Sequence, residues 1–156
     1  MENTPKYEPI TGELLEALKG DCQDVVDFAS RNFRVNLSFD DESIVWLSSF
    51  IEDQRRQMDA ETQHTYGVKI GIYLGFAIID RYGGQWVRNE DTYPFVKFST
   101  GALANPLAKA DKQFENGQVD NIYGLYRNIG RLLRREFEQG DPPNAGSAGA
   151  PPASVS

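Results

Sequence analysis

The chain holds 156 residues, with 16 Lys and Arg against 23 Asp and Glu, a formal net charge of −7 and 40% hydrophobic residues. That is the composition of one soluble globular domain, large enough to bury roughly 70% of its unfolded surface without a metal or disulfide staple. A single cysteine (Cys22) excludes an intramolecular disulfide or a multi-cysteine metal cage, and a single histidine (His64) excludes sites built from two or more His ligands.

The N-terminal residues show no basic stretch followed by an apolar run, so no secretory signal is expected. From Thr11 to Arg31, the apolar residues Leu14, Leu15, Leu18, Cys22, Val25, Val26 and Ala29 recur at helical spacing. At about 100° per residue, Glu13, Glu16, Asp24 and Asp27 gather on the opposite face. Gly20 is expected to kink or split this helix, with Asp21 capping the second piece. A second helix is expected near Asp40, whose carboxylate can cap it, and to carry Ile44, Leu47, Phe50, Ile51 and Met58 on one face. Asp41 and Glu42 follow that cap, where the helix dipole favours anions.

A third helix is predicted over Ala60–Tyr82. Between Gly67 and Ile79 its only charge is Lys69, and apolar residues occupy almost the whole circumference, which marks a buried central helix. Its longest apolar run, Ile70 to Ile79, is half the roughly 20 residues needed to span a membrane. A soluble, cytoplasmic protein with no membrane partner is therefore expected. Gly67, Gly71 and Gly75, four apart, form a smooth strip where another backbone can approach, or where a second copy of the chain could associate. Gly83-Gly84 ends the helix. Gln85–Arg88 and Phe95–Phe98 then read as a hairpin across the polar turn Asn89–Thr92. Asn105-Pro106 opens a short helix that Asn116-Gly117 closes. Asp120 is expected to cap the last helix, with Ile122, Leu125, Tyr126, Ile129, Leu132 and Leu133 inward and Arg127, Arg131, Arg134 and Arg135 outward. The expectation is a mainly helical α+β domain over 1–140, with a small antiparallel hairpin packed on a buried central helix. Residues 141–156, rich in Pro, Gly, Ala and Ser, read as a disordered tail.

Little chemistry is visible in this pattern. Cys22 lies on an apolar face, and no nucleophile elbow, phosphate loop or H-E-x-x-H motif occurs. Glu61-x-x-His64 has the spacing of a di-iron half-site, but two copies are needed. No metal, cofactor or catalytic residue is therefore expected. The arginine stripe belongs to a chain whose net charge repels nucleic acid, so no nucleic-acid partner is expected. The sharpest asymmetry is one of charge: residues 1–60 hold 6 basic and 13 acidic side chains, and the other 96 residues hold 10 and 10. This points to a non-enzymatic protein-binding module, such as an immunity-type inhibitor of a basic toxin or enzyme, using Glu13, Glu16, Asp24, Asp27, Asp40, Asp41 and Glu42. The alternative is a small-molecule binder or small enzyme with an aromatic pocket of His64, Tyr73, Tyr82, Trp86 and Phe95 between hairpin and central helix.

The run YGVKIGIYLGFAIIDRYGGQWV, followed by a hairpin, NPLAKADKQFENG and a final helix, resembles an uncharacterised bacterial family, a domain of unknown function. The likeness covers about Tyr66–Tyr126 and rests on Gly71, Gly75, Gly84, Trp86, Asn105-Pro106 and Asn116-Gly117. It implies a bacterial origin and a small stand-alone domain, with no catalytic residues or substrate.

Overall fold

A computed structural model describes residues 6–90, 93–139 and 154–155. Among the described residues there are five helices: α1 (Gly12–Phe33), α2 (Asp41–Gln54), α3 (Ala60–Tyr82), α4 (Pro106–Asn116) and α5 (Ile122–Gln139). The strands are β1 (Glu8–Pro9), β2 (Gln85–Arg88), β3 (Phe95–Lys97), β4 (Leu103–Ala104) and β5 (Ser154–Val155). β1 to β4 form an antiparallel meander, with Trp86 opposite Val96, and β5 lies parallel beside β4. The expected mainly helical α+β architecture is present, with its hairpin against the central helix. Of the tail expected to be disordered, residues 141–153 and 156 lie outside the described residues, as do residues 91 and 92 of the polar turn.

α3 is the hub. The Asp59 carboxylate accepts from the Thr62 N–H at 2.8 Å to start it, and Gly83, at φ 83°, ends it. Ile72, Tyr73, Leu74, Ala77 and Ile78 are all buried, as a helix apolar on every side requires. α1, α4 and α5 pack on it, while α2 packs on α4 and α5.

The glycine strip does admit a close neighbour, and that neighbour is internal. A Cβ on Gly71 would sit 2.5 Å from the Leu107 Cα and 3.0 Å from the Pro106 carbonyl oxygen, one on Gly75 would strike the Trp86 ring, and one on Gly67 the Asp111 carboxylate. The strip is thus filled by α4 and β2, which corrects the expectation that it could serve self-association.

Three local expectations also change. α1 runs unbroken through Gly20, which is exposed and touches nothing that a Cβ would disturb. α2 stops at Gln54, and a 3-10 turn over Arg55–Gln57 separates it from Met58. The start of α5 is capped by Asn121, whose Oδ1 accepts from Gly124 N–H at 2.8 Å. Asp120 instead accepts from Asn116 and Lys109, at 2.8 and 3.4 Å.

Candidate functional site

α1 carries the acidic residues singled out above. Glu13, Glu16 and Asp24 are exposed and Asp27 half-buried. Helical spacing brings the four to one side, but they are not equally free. Lys69 reaches from α3 to Asp24 at 2.7 Å and to Asp21 at 3.8 Å. The hydrogen bond to Asp24 leads the effects that hold the Lys69 ammonium above its usual pKa. Glu16 pairs with Lys19 at 3.3 Å, and the Gln23 amide donates to Asp27 at 3.0 Å. Both of these ties lie within α1 at its surface, so they are weak and leave the negative charge facing water.

The acids at the start of α2 have other duties. The Asp40 carboxylate accepts from the Ser43 N–H at 3.0 Å and the Ser43 hydroxyl at 2.7 Å, which lowers its pKa. Asp41 pairs with Arg81 and accepts from the Tyr123 hydroxyl at 3.0 Å. The Arg81 guanidinium also lies 5.3 and 5.4 Å from the Tyr82 and Tyr126 ring centres, within cation–π range. Beside this cluster Phe39 sits at φ 64°, a left-handed conformation disfavoured for a bulky side chain. Its N–H donates to the Tyr73 hydroxyl at 2.8 Å and its carbonyl accepts from Tyr126 at 3.3 Å, which holds it there. Asp40 thus caps α2 and Asp41 fastens it to α3 and α5, while Glu42 is exposed beside them.

The aromatic pocket of the alternative reading is not assembled. Tyr73 is fully buried and stacks on Phe39 at 4.7 Å, while the Tyr82 hydroxyl donates to the Tyr126 carbonyl at 2.9 Å. Trp86 is buried against Gly75 and Phe76, and Phe95 meets Tyr7 edge-on. His64 lies on the surface, its Nδ1 3.5 Å from Asp111 and its Nε2 3.2 Å from the Tyr93 hydroxyl. Successive residues of a buried helix point to different neighbours, so aromatics spread along α3 do not converge on one cavity.

Chemistry elsewhere is sparse among the described residues. Burial pushes the Cys22 thiol up to about 12, which makes it inert. Among the described residues no group of three or more His, Cys, Asp or Glu could hold a metal ion, and no helix is long and apolar enough to cross a membrane. Arg127, Arg131 and Arg134 are exposed, as expected for the outer face of α5.

One feature escapes the sequence pattern altogether. Between α1, α2 and α3 lies an open groove of about 260 Å³, lined by Val25, Phe28, Leu47, Phe50, Tyr66 and Ile70, with Asp24, Thr65 and Lys69 at its mouth. Phe28, Phe33, Trp46, Phe50 and Tyr66 form a connected set of rings with centres 5.3 to 6.0 Å apart. Phe33 is 45% exposed. The lining residues come from segments up to 45 positions apart, so no local motif announces them. No family model matches the chain, and no curated protein or solved structure is significantly similar to it.

Proposed function

We propose that this chain is a non-enzymatic protein-binding module that recognises a basic partner through the outer side of α1, in the manner of an immunity-type inhibitor of a basic toxin or enzyme. The observation that carries the reading is the segregation of charge: the whole imbalance lies in residues 1–60, and α1 packs chiefly on α3, leaving its acidic side open to solvent. Such a field raises the encounter rate with a cationic surface and disfavours anionic competitors. Screening shortens its reach to about 8 Å at physiological ionic strength.

The test is capture from a native extract on the immobilised chain at low salt. A stoichiometric basic protein should be retained, released as salt is raised, and lost when Glu13, Glu16, Asp24 and Asp27 are all changed to Lys. Undiminished retention by that quadruple variant would sink the proposal.

A further inference from the structure

The groove between α1, α2 and α3 adds a second element to that surface. Its floor is apolar and partly aromatic, and its volume, about 260 Å³, falls below the roughly 300–1,000 Å³ of sites for drug-sized molecules. That is room for one large side chain. Around it, helical spacing places five carboxylates. Asp21, Asp24 and Asp27 succeed one another on α1, Asp53 lies three residues beyond Phe50, and Glu61 lies four before Thr65. The cations on the same rim are Lys69, already engaged by Asp24, and Arg31, three residues beyond Phe28.

An apolar socket with a net negative rim matches an apolar anchor flanked by cations. The geometry points to a basic segment of a protein partner that inserts one aromatic or large aliphatic side chain into the groove, against the touching rings of Phe28 and Tyr66, its lysines or arginines facing the rim. This rests on the protein-binding reading above and adds the point of entry. Other occupants fit less well. A second copy docked face to face would bring two acidic rims together. Residues 141–156 offer only Val155 as a sizeable apolar side chain, and Val155 lies in β5 beside β4. Buried anchors of this kind dominate interface energetics, whereas rim charges mainly set encounter rate and salt dependence.

Two synthetic peptides test the assignment, one lysine-rich with a single tryptophan and one identical but for serine at that position. The tryptophan peptide should bind about 30-fold more tightly, the size of a hot-spot contact. Methyl resonances of Val25, Leu47 and Ile70 should shift on binding. Thr65→Trp, which fills the mouth from an exposed position, and Thr65→Arg, which sets a cation there, should each abolish the preference while leaving the thermal midpoint unchanged. Equal, salt-sensitive binding of both peptides, unaffected by either variant, would overturn the groove and leave the acidic surface standing. Absence of binding by both peptides at low salt would overturn the groove and the basic-partner reading together.

Discussion

The two sides of α3 are built on opposite principles. Toward α4, glycines remove the side chains and the neighbouring backbone closes in, so Gly71 has no room for even a methyl group. Toward α1 and α2, the rings of Phe28, Phe50 and Tyr66 meet one another and an open groove remains beside them. A single helix therefore has one face fixed by close packing and another left accessible. The closed face belongs to the fold, and the open face is where a partner can be met without taking the fold apart.

The largest expected effect lies on the closed side, at Gln113, a fully buried amide on α4. Its Nε2 donates to the Ser48 carbonyl at 3.0 Å, and its Oε1 accepts from the Ile122 N–H at 2.9 Å, tying α2, α4 and α5 together. Gln113→Ala leaves the buried Ile122 N–H unpaired, at a cost of about 1–3 kcal/mol, strips the Ser48 carbonyl and hydroxyl of their contacts to α4, and opens a cavity. Denaturant unfolding should show a loss of about 4 kcal/mol from these combined effects. A loss below about 1 kcal/mol would mean that water takes the place of the amide and that this side is less closed than its geometry implies.

Gly71→Ala comes next. Intrinsic helix propensity alone favours alanine by about 1 kcal/mol, but the added methyl meets Leu107 and Pro106, and overpacking of this kind costs about 1–3 kcal/mol or more. Net destabilisation and a lower thermal midpoint are expected. A gain in stability would show that α4 can draw back cheaply and would erase the contrast between the two sides.

Acid should loosen both sides through their helix starts. The Ser43 contacts lower the pKa of Asp40, and the Thr62 contact that of Asp59, both from the ordinary 3.8. A carboxyl whose folded pKa is depressed adds stability that is present above 3.8 and lost as pH falls through the lower folded value. Unfolding midpoints should therefore drop below about pH 4, and Asp59→Asn, which keeps a capping oxygen without the charge, should show a shallower drop. An identical acid profile for that variant would remove Asp59 from the account.

How much of this was legible in the sequence depends on how local each signal is. The bounds of α3 and the role of Asp40 as a cap follow from residues adjacent in the chain, and the glycine strip correctly announces a close approach. What the strip cannot give is the partner, since α4 lies more than thirty residues downstream. β1 and β4, at two residues each, are too short to display any alternation, and Pro9 further disguises an edge strand. Gln113 looks like an ordinary polar residue until Ser48, 65 positions earlier, is placed beside it. The acidic side of α1 was readable from helical periodicity, but Lys69 reaching back to Asp24 was not. The aromatics expected between hairpin and central helix are dispersed for a related reason: Tyr73 and Tyr82 leave α3 toward different neighbours, while Trp86 and Phe95 meet Phe76 and Tyr7.

The smallest effect probes the open side and carries the opposite sign. Gly20 lies within α1 in ordinary helical geometry, and a Cβ there would meet nothing within 4 Å. Gly20→Ala should therefore stabilise the protein by about 0.4–1 kcal/mol, chiefly by restricting the unfolded chain and improving helix propensity. Paired with Gly71→Ala, it applies the same chemical change to two helices that meet each other, once against solvent and once against a neighbouring backbone. Opposite shifts in thermal midpoint would isolate packing as the cause, because propensity acts in the same direction at both sites. If Gly20→Ala instead lowered stability, α1 would need local freedom at that point, and its description as one unbroken helix would have to be abandoned.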